Sequence, residues 1–206
     1  SSEADRQAAA DALSRATDSI ARRPFLGKAL AVCGGIFGIA ILFPVASLGP
    51  RPGTILYRTA WGVGTRLVNE DGQPIRPGDL PVNGILTAFP ASNPADPQGP
   101  VLVINITGND YRPKPGHEAW NVGGIVAFSK ICTHAACPVG LYNVQSHQLV
   151  CPCHQSTFNV LTDCTPVFGP APRALPQLPL ALDSDGFLIS QTGFDKPVGP
   201  GFWNRG

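Results

Sequence analysis

No methionine occurs anywhere in the 206 residues, and the first residue is a serine, so the sequence reads as a processed product or a fragment. Charge of either sign is scarce: 15 lysines and arginines face 14 aspartates and glutamates, for a formal net charge of +1. With no net field and no Lys/Arg-rich block, nucleic acid is set aside as a partner. Internal repeats and low-complexity tracts are also missing, which leaves one good-sized globular unit with an appendage as the default. What is plentiful is apolar content, 43%, together with 23 glycines and 22 prolines that follow no period. Apolar runs persist between them, so this composition predicts many turns and short strands rather than disorder.

One long uncharged run stands out. "ALAVCGGIFGIAILFPVASL", Ala29 to Leu48, is 20 residues long, enough to cross a hydrocarbon core at about 1.5 Å per residue. We read a transmembrane helix over 25–48, its Gly34, Gly35 and Gly38 suited to close helix packing and Pro44 tolerated near its end. Residues 1–24 are polar and Ala-rich with weak helical periodicity, 49–59 form a tether around "GPRPG", and 60–206 make up the folded domain. Arg22, Arg23 and Lys28 before the uncharged run, against Arg51 and Arg58 after it, lean toward a cytoplasmic N-terminus. "ARRPFLGKAL" resembles a twin-arginine export signal, although an arginine pair before a span also serves as an ordinary interface anchor. Cys33 has Leu30 three residues before it, as a lipoprotein cysteine would, but Val32 fits poorly, and a small apolar cysteine within the span is the better reading.

Beyond Pro50 the sequence breaks into β-like runs: "TILYRTAW", "VLVINIT", "GGIVAFSK", "HQLVC" and "GFLISQ". Turn residues separate them, and the pattern predicts an antiparallel β domain. "GQPIRPGDLPVNG" and "FPASNPADPQGP" are too long for tight hairpins and are read as surface excursions on that scaffold.

Between Lys130 and Phe158, "KICTHAACPVGLYNVQSHQLVCPCHQSTF", lie four of the six cysteines and three of the four histidines. Cys and His at such spacings point first to metal, either zinc or an iron–sulfur centre. Each half offers one Cys and one His, Cys132 with His134 and Cys151 with His154. Cys137 and Cys153 add two further cysteines at matching distances, and this symmetry favours a two-iron cluster. "CTHAAC" and "CPCHQS" resemble the two boxes of the Rieske [2Fe–2S] proteins, C-T-H-x-G-C and C-P-C-H-G-S. "GPAP", Gly169 to Pro172, is similar to the proline-rich loop that covers the cluster in that family. The likeness runs from about Val122 to Ser190.

That resemblance implies a mainly β fold, an antiparallel Rieske-type domain with a cluster-binding part over about 129–172. It implies that Cys132 and Cys151 hold one iron of a [2Fe–2S] cluster and His134 and His154 the other, while Cys137 and Cys153 form a disulfide. Ser156 would donate a hydrogen bond to a bridging sulfide. Phe158 stands where many relatives carry a tyrosine, and losing that hydroxyl should lower the potential toward a menaquinol donor. Ala136 and Gln155 replace two glycines of the pattern, which is costly where glycine's backbone freedom is needed. Cys164 is read as a buried thiol, and His117 and His147 as solvated or hydrogen-bonded surface residues.

The chemistry can also be reached from charge. Two ferric ions, two sulfides and two thiolates sum to zero, so such a cluster takes an electron more readily than one with four thiolates. Reduction raises proton affinity at the outer imidazole nitrogens. Electron and proton uptake thus meet at one exposed tip, as quinol oxidation requires, with His154 the implied quinol contact. The resemblance implies a subunit of a quinol:cytochrome c oxidoreductase in the plasma membrane, its head on the outer side. Its partners would be a cytochrome b subunit, a c-type, dihaem cytochrome, a terminal oxidase in a supercomplex, menaquinol and membrane lipid. The rival readings are a Rieske ferredoxin or oxygenase component, the small subunit of an arsenite-oxidase-type enzyme, and a zinc domain.

Overall fold

The computed structural model describes residues 2–21, 24–48 and 58–201. The arginine pair Arg22–Arg23, most of the tether and the first half of the "TILYRTAW" run lie outside the described residues. Arg58 to Trp61, the end of that run, is not a strand.

The chain divides into two compact units, 1–51 and 52–206. The first contains two helices. α1, Glu3–Ala21, starts at a capping box: the Ser2 hydroxyl accepts from the Asp5 N–H at 3.2 Å and the Asp5 carboxylate accepts from the Ser2 N–H at 2.8 Å. Each side chain thereby satisfies a donor the helix leaves open. α2, Pro24–Ser47, opens on a proline, whose fixed φ suits the first helical position. It runs on through Pro44, and the Ser47 hydroxyl donates to the Pro44 carbonyl at 2.7 Å. None of its described side chains is buried, and it is the helix long and apolar enough to cross a membrane.

The second unit is built from antiparallel strands in three sheets. β1 (Leu67–Val68), β2 (Ile85–Pro90), β3 (Val101–Asn105), β4 (Ile125–Ser129) and β9 (Gln177–Leu178) form a five-stranded sheet in that order. β5 (Leu141–Asn143), β6 (Gln148–Val150), β7 (Thr157–Asn159) and β8 (Thr165–Phe168) form a four-stranded meander, and β10 (Leu180–Leu182) pairs with β11 (Leu188–Ser190). β2 was not read from the sequence, and it takes in Phe89 and Pro90, the first two residues of a quoted surface excursion.

β3 and β4 are buried along their whole length because both faces of their sheet are covered. Leu102, Ile104, Val126 and Phe128 point into one core cluster, shared with Leu149, Phe158, Val160 and Leu175. Val101, Val103, Ile125 and Ala127 point the other way, toward Trp61, Leu67, Leu180 and Leu188. The alternation of the pleat explains this division. The first cluster also holds Cys132, Cys151 and Cys164, so the meander and its loops stand directly on the central sheet.

Candidate metal centre

Two loops at the end of the meander carry the cysteines and histidines. The first, Cys132–Cys137, sits between Ile131 and Pro138, which form an isolated bridge; the second, Cys151–Ser156, joins β6 to β7 with Val150 facing Thr157. Their backbones are alike. The Cys132 N–H donates to the Cys137 carbonyl at 2.8 Å, and the Cys151 N–H to the Ser156 carbonyl at 2.9 Å. The Ala136 and Gln155 N–H groups donate back to the Cys132 and Cys151 carbonyls, each at 3.0 Å. Ala136 (φ 61°) and Gln155 (φ 58°) are both left-handed, the conformation glycine adopts most freely, and these are the two positions where the sequence departs from the glycine of the motif.

The loops bring the implied residues together. Cys132 and Cys151 are buried, His134 is half-buried, and His154 is exposed. The two imidazoles lie edge to face with ring centroids 4.7 Å apart. Burial, the largest effect on Cys132, pushes its thiol up, and the adjacent Cys151 thiol adds to this. Cys137 and Cys153 form a disulfide with Cα atoms 6.5 Å apart, and their sulfurs lie within 4.8 Å of the Cys151 sulfur. A disulfide sulfur is not a thiolate, so these two cysteines are withdrawn from ligation. Two thiols and two imidazoles remain. That donor set fits a two-iron, two-sulfide cluster with mixed ligation, and the same four donors suit zinc.

A cover crosses both loops. Gly169 has φ 88°, and a Cβ there would stand 2.6 Å from the Ser156 Cα, so only glycine lets the backbones meet. Two residues on, the Ala171 N–H donates to the Ser156 hydroxyl at 3.1 Å. Thr133, fully buried between two implied ligands, donates its hydroxyl to the Arg173 carbonyl at 2.7 Å. Phe158 is fully buried against the same core as the two thiols. Cys164 is a buried free cysteine whose thiol is pushed well up by burial.

Sequence reasoning missed a buried polar cluster beside this site. Asp163, left-handed and 1% exposed, accepts from the Tyr111 hydroxyl at 2.6 Å and the Lys114 N–H at 2.7 Å. His117 Nδ1 lies 3.1 Å from the Asp163 carboxylate and 2.9 Å from Gln177 Oε1. With its side chain 16% exposed and its ring stacked on Trp120, His117 sits deeper than the surface residue expected. Burial, reinforced by Asp163, pushes the Tyr111 phenol up. His147 is half-buried, with Nδ1 3.1 Å from the Tyr142 hydroxyl. The contacts of Asp163 and Gln177 join residues dozens of positions apart, and no local spacing announces them.

Residues 108–179 match the family model of the Rieske [2Fe-2S] domain. The cytochrome bc1 complex Rieske iron-sulfur subunit of Streptomyces lividans is 41% identical over 168 residues, covering 77% of this chain and 98% of its own length. The subunit of that description from Streptomyces coelicolor is 37% identical over 201 residues, 90% of this chain and 57% of its own length. From Mycobacterium tuberculosis it is 33% identical over 232 residues, 91% of this chain and 54% of its own length. The chain thus spans little more than half the length of the latter two. The paired loops, the disulfide and the covering glycine fall within the matched region, and the chain belongs to the Rieske iron–sulfur subunits of cytochrome bc1 complexes.

Proposed function

We propose that the chain is the electron-transfer subunit of a respiratory quinol:cytochrome c oxidoreductase, moving one electron and a coupled proton from a quinol toward a c-type haem. One observation carries this reading: two imidazoles with ring centroids 4.7 Å apart and two buried thiols stand on paired loops of one β domain. In this reading Cys132 and Cys151 hold one iron and His134 and His154 the other. The [2Fe–2S] cluster supplies one-electron redox chemistry at a raised potential, because two neutral imidazoles take the place of two thiolates.

The chain's own residues handle the proton. His154, exposed, offers its outer ring nitrogen to a quinol hydroxyl, first as hydrogen-bond acceptor and then as base. His134, half-buried, serves as the second proton-bearing ligand. The Ser156 hydroxyl accepts from Ala171 and keeps its own proton for a cluster sulfide, which favours the reduced state. Phe158 has no hydroxyl to offer a cysteine sulfur, and this supports a low-potential donor, menaquinol. A redox titration of Phe158→Tyr should then show an upward shift, by about 60 mV if one hydrogen bond of about 1.4 kcal/mol is gained.

The partners in this reading are a cytochrome b subunit, a c-type and dihaem cytochrome, a terminal oxidase in a supercomplex, and lipid around α2. A disulfide that persists supports a head on the outer side of the plasma membrane. Purification from native membranes tests the whole reading. Iron, acid-labile sulfide and the paramagnetic signal of the dithionite-reduced protein should accompany b- and c-type haems. A silent, iron-free protein would return the site to zinc, and an iron-loaded protein without haems would sink the complex.

A further inference from the structure

The two ligand loops are not held in the same way. The second joins two paired strands and is pressed by Gly169, whereas the first is flanked by no strand pair, only by the isolated bridge between Ile131 and Pro138, beyond its own main-chain bonds and the disulfide. Something else must fix it. Residues Pro197 to Gly199, near the end of the described chain, are buried, with Val198 6% exposed. Gly199 (φ 75°) lies against the first loop at two points: a Cβ built there would be 3.5 Å from Ile131 Cγ2 and 3.9 Å from Ala136 Cβ. Upstream, the segment is tied to β9, since the Gln177 N–H donates to the Asp195 carboxylate at 2.7 Å and the Asp195 N–H to the Gln177 carbonyl at 3.1 Å.

Arg173 joins these parts. Its carbonyl accepts from the Thr133 hydroxyl inside the first loop, and its Nη2 donates to the Pro197 carbonyl at 2.6 Å and also to the Gly199 carbonyl. Charge-assisted bonds of this kind are stronger than neutral ones, and removing the guanidinium would leave buried carbonyls unsatisfied. We infer that Arg173 and the buried segment 197–199 form a clamp that sets the position of the first ligand loop, and with it His134. Arg173 is then a positioning residue for the metal centre, a role that rests on the ligand assignment proposed above.

Hydrogen exchange read by mass spectrometry on the full-length, cluster-loaded chain tests the clamp with Arg173→Gln, Arg173→Lys and Val198→Ala. In Arg173→Gln, exchange in peptides spanning 131–139 should rise roughly tenfold while peptides spanning 150–157 stay as they are. Arg173→Lys should restore most of the protection. Val198→Ala, which keeps every Arg173 bond and thins the buttress, should give a smaller rise confined to the first loop. The g-values of the reduced cluster should shift in the same order. The inference is overturned if both loops keep their protection, or if they lose it together with β3 and β4, as general destabilisation would produce. Should Arg173→Gln fail to fold, the lysine and Val198 variants make the same comparison. Iron and sulfide content of the same samples judges the ligand assignment separately, because the protection pattern is read whether or not that assignment holds.

Discussion

The two ligand loops share a backbone but not a sequence. "CTHAAC" and "CPCHQS" repeat the same pair of main-chain hydrogen bonds and the same left-handed residue four positions after the first cysteine. Loop shape is therefore set by main-chain bonding and by one tolerated conformation, and side chains at the other positions are left free for ligation. The loops part company in what supports them. A strand pair and a glycine contact hold the second, while Thr133 and a distant segment hold the first.

The comparison can be broken most severely at the thiols. Cys132→Ser and Cys151→Ser should each abolish cluster binding, measured as iron and acid-labile sulfide, because in the proposed ligation each would be an equal half of one iron's thiolate pair; retention of the cluster by either would end the equivalence. Cutting the tie between the loops comes next. Cys137→Ser opens a bridge of 16-residue separation, and a closed loop of about that size contributes about 3 kcal/mol. The midpoint of denaturant unfolding should fall accordingly. Gly169→Ala damages the second loop alone, through a Cβ 2.6 Å from the Ser156 backbone and a φ of 88°. A loss of about 2 kcal/mol should lower the thermal midpoint by roughly 4–8 °C. The finest probe is paired: Ala136→Gly and Gln155→Gly should each stabilise by about 0.5 kcal/mol, relief of left-handed strain outweighing the added freedom of the unfolded chain. Chemical denaturation should give equal gains in both, and a large difference would show that the loops are strained unequally.

The site was legible because its donors are local in sequence. Cys132 to His154 fall within one short stretch, and thiol and imidazole at mirrored spacings leave few chemistries open. The central strands were legible for a related reason: β3 and β4 are buried on both faces and appear as unbroken apolar runs. β1, β9 and β10, two or three residues each, carry too few side chains to show a period, and their pairing is decided by the sheet they join. Arg173 was illegible because its bonds run to Pro197 and Gly199, far along the chain. The covering role of "GPAP" was expected from likeness, but the need for glycine at 169 emerges only from how near Ser156 lies.

Asp163 takes donors from Tyr111 and Lys114 and faces His117, all within the long stretch between β3 and β4. A single carboxylate thereby acts as the keystone of a segment with no regular structure of its own. The middle of such a segment should not fray one residue at a time: the Tyr111, Lys114 and His117 anchorages share one carboxylate, so they are lost together.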